Sequence, residues 1–180
     1  MAAAYLWWIG ERDPEPAMIQ HVRSHVARAF DATVEIWDSS ERPVDTYDAR
    51  RKQHASGRVL KFLVDRGPVG AKVVGITDRD LFIPILTFVF GEAQLGGAAA
   101  VVSTARLTEP APRPDPRLFA ERIAKECVHE LGHAMGLVHC GTPLCAMGRS
   151  ASVRDVDRKS GGLCDDCRAR LRAMARGVAT

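Results

Sequence analysis

One stretch of the chain combines histidines and a glutamate at a spacing that could hold and use a metal ion. It runs from His129 to His139 and reads HELGHAMGLVH, the pattern HExxHxxGxxH. On a helix, residues four apart return to nearly the same face, so His129 and His133 would project side by side, about 6 Å apart. Glu130 would flank that face, where its carboxylate could reach a water held by the ion without itself ligating. These residues predict a catalytic zinc site with Glu130 as general base.

Zinc bound by two histidines needs a further protein ligand, and His139 is the expected one, with a fourth position left for water. A continuous helix would carry His139 about 15 Å along its axis from His129, too far to share one ion. Gly136 resolves this difficulty, because a glycine just past the last helical turn can adopt the left-handed conformation that ends the helix and turns the chain back. The alternative of surface histidines on an ordinary helix is disfavoured, because chance seldom produces the whole pattern.

Four cysteines follow in two closely spaced pairs, C-x4-C and then C-x-x-C, with eighteen residues between the pairs. The four are Cys140, Cys145, Cys164 and Cys167. This spacing is typical of a closed, tetrahedral structural zinc site. One disulfide per pair is the alternative, disfavoured because nothing in the sequence indicates an oxidising compartment. Cys140 directly follows His139, so the two predicted zinc ions would lie within roughly 14 Å of each other.

Together these motifs resemble one family of metalloproteases. HExxHxxGxxH followed by C-x4-C-x-M and a later C-x-x-C is similar to the archaemetzincins, a branch of the metzincin zinc peptidases, and residues 75–80 and 88–93 extend the resemblance upstream. The resemblance implies an α+β, metzincin-like fold: a twisted mixed β-sheet with backing helices, an active-site helix, and a small C-terminal subdomain stapled by the four-cysteine zinc site. It also implies that Met147 is the methionine of the turn beneath the catalytic zinc, although ordinary core packing is the alternative.

Two further expectations follow from that resemblance. Some other metzincins carry a tyrosine two residues after the turn methionine, whereas this chain has Arg149 there. The groups that would share the transition-state charge with the zinc are therefore not identified by the sequence. The metzincin fold also has an exposed edge strand above the zinc, to which a peptide adds by backbone hydrogen bonds. We assign that role to residues 85–90.

Composition predicts one globular domain. The 180 residues are 46% hydrophobic and 26% charged, which is enough for one substantial core. The net charge of +3 is mild and forms no concentrated basic stripe, so nucleic acid is not an expected partner. No stretch approaches the ~20 apolar residues of a membrane span, and the apolar start of the chain is too short for a signal peptide. We expect a cytoplasmic monomer that acts on a peptide or protein substrate.

Periodicity places secondary structure around these motifs. Alternating or apolar runs predict strands at residues 4–9, 33–37, 73–76, 85–90 and 98–104, with a tight connection at 91–97. Apolar stripes predict helices at 16–30, 56–66, 116–135 and about 165–176. Ser56 is expected to cap the second helix, and Asp115 the active-site helix. Residues 38–55 are expected to form a surface loop, and the proline-rich residues 109–116 a linker.

Three other chemically interesting residues are expected to have structural positions. His21 and His25 repeat the four-residue spacing on the first helix, but no third ligand is near in sequence, so a solvated flank is expected. Cys127 falls about 160° around the active-site helix from His129, which predicts burial in the core.

The sequence therefore predicts a single catalytic domain, residues 1–180, whose cleft divides an upper subdomain, about 1–136, from a lower one, about 137–180. The predicted reaction is peptide-bond hydrolysis with two zinc ions per chain, one catalytic and one structural. A zinc-stabilised peptide- or protein-binding module with little or no turnover is the alternative from another class. Glu130 argues against it, because a purely structural site needs no base beside the ion. Hydrolysis of a non-protein amide also stays open.

Overall fold

The computed structural model of the chain describes residues 4–110 and 114–177. Eight strands and five helices occur in these ranges. The strands are β1 (Ala4–Trp8), β2 (Val34–Ile36), β3 (Tyr47–Asp48), β4 (Gln53–Ala55), β5 (Lys72–Thr77), β6 (Leu81–Phe82), β7 (Gly91–Ala93) and β8 (Ala99–Ser103). The helices are α1 (Pro16–Phe30), α2 (Ser56–Arg66), α3 (Pro116–Ala134), α4 (Val153–Arg158) and α5 (Asp165–Ala175).

The main sheet has the strand order β2-β1-β5-β8-β7. Its first four strands run parallel, and β7 pairs antiparallel with β8 at the edge. The central parallel strands β1, β5 and β8 are largely buried on both faces, as a doubly covered sheet requires. In β8, for example, Val102 faces a core shared with α1 and α3, whereas Val101 faces a smaller core shared with α2. The sheet is therefore sandwiched between α1 and α3 on one face and α2 on the other.

The predicted α+β fold is confirmed, and most predicted elements lie within a residue or two of their observed bounds. The start of α3 follows the sequence signal closely: the Asp115 carboxylate accepts hydrogen bonds from the backbone N–H groups of Arg117 and Leu118, at 2.9 and 3.0 Å. Cys127 is fully buried in the core, as predicted. Of the predicted linker 109–116, residues 111–113 lie outside the described part of the chain.

The strand predicted at residues 85–90 is wrong, because this segment forms turns and bends with one isolated bridge, between Val89 and Leu81. Ile85 is 86% exposed, and the carbonyls of Pro84 and Leu86 accept hydrogen bonds from the guanidinium group of Arg51 rather than from a neighbouring strand. Pro84, directly before this segment, has no N–H to donate to a neighbouring strand, which disfavours regular pairing there. The edge strand is instead β7, within the stretch that the sequence indicated as a connection.

Three smaller predictions also need correction. The expected loop 38–55 contains β3 and β4, which form a three-stranded sheet with β6; such short strands carry too little alternation to be recognised. Ser56 is the first residue of α2 rather than its cap, and its hydroxyl donates to the Phe82 carbonyl at 2.9 Å. Helix α4 was not predicted, although Ser152 and Asp155 form a capping box at its start.

None of the helices in the described residues combines the length and the apolar content that crossing a bilayer requires.

Candidate functional site

The end of α3 brings the predicted histidines to one point. His129 and Glu130 lie on the last turns of this helix and are 6% and 5% exposed. The helix ends at Ala134 with Met135 as its C-cap, and Gly136 takes a φ of 101°, in the left-handed region that favours glycine. Candidate ligand atoms of the three histidines, His139 included, then all lie within 4.8 Å of one another.

Hydrogen bonds fix which nitrogen of each helical histidine is free to ligate. The Nδ1 of His129 lies 2.8 Å from the carbonyl of Ala146, and the Nδ1 of His133 lies 2.7 Å from that of Leu137. Since a carbonyl only accepts, each Nδ1 carries the proton and each Nε2 presents a lone pair. The two Nε2 atoms face each other at 3.1 Å. Two acceptors at this distance repel unless a cation lies between them, so the donor set fits a metal ion.

Electrostatics keep these rings in the neutral form that binds metals. Burial, reinforced by the ammonium of Lys159, lowers the pKa of His129 to about 3. Burial is also the largest cause of the lowered pKa of His133 and of His139. Metal ligation by imidazole requires the neutral ring, so little proton release opposes binding at neutral pH.

Glu130 lies beside these histidines on the floor of a cleft of about 550 Å³, within the usual size range of ligand pockets. Burial, and after it the nearby carboxylate of Glu126, raises the pKa of Glu130 well above its ordinary value. A side chain at Gly91 would not fit here, because a Cβ at that position would lie 2.6 Å from the Cγ of Glu130. The cleft is lined by residues 86–93, Glu126, His129, Glu130, His133, His139 and residues 149–151.

Met147 lies directly beneath the helix between its two histidines. It is fully buried, and its sulfur packs against Gly132, where a side chain would collide with it. The carbonyl of Met147 accepts a hydrogen bond from the N–H of Cys140, at 3.0 Å. This bond fixes the chain immediately after His139.

The four predicted cysteines also come together, with sulfur atoms within 4.8 Å of one another. Cys140 and Cys164 have their Sγ atoms 3.8 Å apart, as have Cys145 and Cys167. A disulfide would bring two sulfurs to about 2.05 Å, whereas tetrahedral zinc with bonds of about 2.3 Å separates them by about 3.8 Å. The spacing therefore fits a shared zinc ion and not two disulfides.

Comparison with known proteins places the chain in a family. The model of "Peptidase family M54" matches residues 52–173. An archaemetzincin of Archaeoglobus fulgidus is 38% identical over 154 residues, covering 86% of this chain and 91% of the relative. The chain belongs to peptidase family M54, the archaemetzincins. It is accordingly a zinc metallopeptidase, and so a hydrolase.

Solved structures agree with this family membership. The crystal structure of the archaemetzincin from Methanopyrus kandleri matches with a TM-score of 0.81 and 35% identity, over 97% of this chain and 96% of that one. A zinc-dependent peptidase from Methanocorpusculum labreanum matches with a TM-score of 0.84 and 28% identity, over 93% of this chain and 99% of that one.

A buried ion pair beside His129 was not predicted from the sequence. The ammonium of Lys159 lies 3.2 Å from a carboxylate oxygen of Glu126 and 3.5 Å from the Nδ1 of His129. Lys159 is 6% exposed and Glu126 2%. Glu126 precedes His129 by three residues on α3, a spacing that could have signalled their proximity. Lys159 arrives from beyond α4 and has no such signal.

Two more charged residues reach the cleft. Glu92 enters from β7, and its Oε2 is buried without a hydrogen-bond partner among the described residues. Arg149 lines the cleft near His139, whose pKa is lowered first by burial and to a smaller extent by the charges of His133 and Arg149. The position two residues after the turn methionine is thus occupied by a cation that faces the cleft.

Proposed function

We propose that this archaemetzincin hydrolyses peptide bonds at a zinc ion held by His129, His133 and His139, with Glu130 as general base. The observation that carries the proposal is the pair of Nε2 lone pairs facing each other at 3.1 Å beside a buried carboxylate. Two acceptors in this arrangement call for a cation, and the adjacent carboxylate supplies the base that a structural site would not need.

In the proposed reaction, the metal ion and Glu130 have separate roles. When bound, zinc supplies Lewis acidity, which lowers the pKa of water towards about 7 and polarises a carbonyl. Glu130 takes the proton of the attacking water and later gives it to the leaving amine. Its buried position raises its proton affinity, which suits a group that must hold a proton between those two steps.

The edge strand β7 would hold the substrate. Gln94 donates its N–H to Ala99, and Ser103 donates to the carbonyl of Phe90, so residues 90, 92 and 94 direct their backbone groups towards β8. Antiparallel pairing alternates, and the backbone groups of Gly91 and Ala93 therefore point to the open edge. An extended peptide can add there by main-chain hydrogen bonds beside Glu130.

A second, structural zinc ion at Cys140, Cys145, Cys164 and Cys167 completes the proposal. The sulfur spacing of 3.8 Å supports it, as does the direct bond between His139 and Cys140 along the chain.

We further propose that the cleft separates an upper subdomain, about 1–136, from a lower one, about 137–180. Zinc-bound thiolates are reduced, which favours the cytoplasm as the compartment. A monomeric state without nucleic-acid or membrane partners stays a prediction.

Digestion of a mixed peptide library tests this function. Zinc-loaded wild-type protein and Glu130→Gln are compared by mass spectrometry, with the zinc-to-protein ratio measured in both. We expect cleavage by the wild type only, with the same zinc content in both proteins, because the amide keeps the shape of the carboxylate but cannot take the proton. Equal cleavage by Glu130→Gln would refute the role of Glu130. No cleavage by either protein at full zinc occupancy would favour the peptide-binding module.

A further inference from the structure

Two histidines outside the catalytic site meet a glutamate from another helix. His21 and His25 lie one turn apart on α1, and α3 packs against this helix and presents Glu121 to both. The Nε2 of His21 is 3.0 Å from one carboxylate oxygen of Glu121, and the Nδ1 of His25 is 3.5 Å from the other. Candidate ligand atoms of the three residues lie within 4.8 Å of one another, the same limit that the catalytic histidines meet.

The hydrogen bond of His25 to Gly161 defines which of its ring nitrogens faces Glu121. Its Nε2 lies 3.0 Å from the carbonyl of Gly161, which can only accept, so Nε2 carries the proton of a neutral ring. The lone pair of Nδ1 then faces a carboxylate oxygen of Glu121. One acceptor facing another needs either a second ring proton or a metal cation between them, as at the catalytic pair.

The environment of His21 favours the metal over the proton. Its Nε2 is buried and has no hydrogen-bond partner among the residues that the structure describes, because the nearby oxygen of Glu121 is at hydrogen-bonding distance but not in hydrogen-bonding geometry. Lys125, one turn along α3 from Glu121, does not fill the space. Its ammonium is 3.0 and 3.3 Å from the carbonyls of Asp157 and Val156 at the end of α4.

We propose that His21, His25 and Glu121 form a third metal site that binds zinc(II) or a similar borderline divalent cation. Two imidazoles and one carboxylate, with water in the fourth position, are an established zinc donor set. The His21 and Glu121 side chains are 38% and 40% exposed, which leaves a solvent-facing side for that water. The carbonyl of Gly161 acts as the outer partner that orients His25.

This site would join three parts of the fold: α1, the helix α3 that carries His129, and the segment before Cys164 to which Gly161 belongs. Glu121 would itself be a ligand and so could not act as a base beside the ion. The effect of the site is therefore stabilisation. Binding to the folded state alone raises the melting temperature with metal concentration.

Counting bound metal tests the proposal. Protein that already holds its zinc is dialysed against buffered free zinc, and bound zinc per chain is measured by mass spectrometry for wild type, His21→Gln and Glu121→Gln. We expect the wild type to bind one zinc ion more per chain than either variant. His54→Gln is the matched control, because His54 is the one histidine of the chain's six outside both clusters. It should bind as much zinc as the wild type.

Histidine-ring NMR and thermal unfolding give independent readouts. Added zinc should shift the ring resonances of His21 and His25 but not of His54, and it should raise the melting temperature of the wild type more than that of His21→Gln. Equal zinc uptake by wild type and His21→Gln, with both rings unperturbed, would overturn the proposal and leave an ordinary ion pair. Loss of uptake in His54→Gln as well would overturn it too, since the extra zinc would then be non-specific.

Discussion

At Gly91 the absence of a side chain decides where the carboxylate of Glu130 can lie. A Cβ added there would come within 2.6 Å of the Cγ of Glu130 and 2.6 Å of the Val101 carbonyl. The carbonyl belongs to the sheet, so the added Cβ would push β7 away from β8 as well as displace Glu130. We expect Gly91→Ala to lower kcat by about 100-fold while leaving zinc content unchanged, because a displacement of about 1 Å can have an effect of this size. Steady-state kinetics with metal analysis measures both.

Gly57 provides the control for that substitution. It lies near the start of α2 with open space around its would-be Cβ and no left-handed backbone. Gly57→Ala should leave kcat unchanged and stabilise the fold by up to about 1 kcal/mol. Normal turnover in a folded Gly91→Ala protein would contradict the positioning role of Gly91.

Sequence spacing identified the residues that share one helix or one short segment. His129, Glu130 and His133 could be placed on one face because helical geometry is regular. The left-handed turn at Gly136, from which the chain returns towards His139, is also a local property of the chain. Partners from distant elements could not be placed in this way.

Two partners from distant parts of the chain illustrate that limit. Lys159 reaches Glu126 across 33 residues of chain, and Glu121 reaches His21 across 100. Neither contact can be inferred from the periodicity of the sequence. The packing of α3 against its neighbours is set by the whole core rather than by the local pattern.

Among the elements, the edge strand β7 is the one that would meet the substrate. Ala93 directs its N–H to the open edge, so proline at this position removes a donor without breaking the ladder to β8. We expect Ala93→Pro to raise KM about fivefold with little change in kcat, since one lost hydrogen bond is worth about 1 kcal/mol. Initial rates over a range of peptide concentrations measure this.

Ala93→Ser keeps the N–H and is the matched control for the edge strand; its KM should equal that of the wild type. Proline at Glu92, whose backbone faces β8, should instead destabilise the sheet itself. An unchanged KM in folded Ala93→Pro would mean that the peptide lies elsewhere in the cleft.

The misplaced edge strand has a physical explanation. Residues 85–90 are apolar and resemble a strand in composition, but their apolar side chains largely line the cleft, with Leu86, Phe88 and Phe90 among its walls. The real strand, Gly91–Ala93, consists of small and charged residues, and Gly91 leaves the space that Glu130 occupies. The composition of β7 thus differs from that of a buried strand, so the hydrophobic pattern of the sequence did not reveal it.

At the scale of the whole molecule, the two proposed zinc sites should depend on each other. The Cys140 N–H binds the carbonyl of Met147, and Cys140 adjoins His139. We expect Cys164→Ser to lower the affinity of the catalytic site for zinc by about 10-fold or more, the usual effect of losing an outer support. Competition with a chelator measures the affinity, read through peptidase activity.

Cys127 supplies the control, since it is the cysteine outside the four-cysteine cluster. Cys127→Ala should leave a core cavity and lower stability, but it should not change the affinity of the catalytic site for zinc. A Cys164→Ser protein with unaltered affinity would show that the catalytic ligands are held in place without the cysteine cluster.

The order of ligands along the chain has a consequence for how the enzyme matures. The last strand of the main sheet ends at Ser103, whereas the first ligand of the catalytic and four-cysteine clusters is His129. A ribosome releases the amino-terminal part first, at about 5–20 residues per second, and such parts can begin to fold as they emerge. Every strand of the sheet is therefore synthesised before any of these ligands exists. If these residues hold their metal ions as proposed, metal capture at both clusters follows synthesis of the sheet and is completed only after Cys167 has emerged.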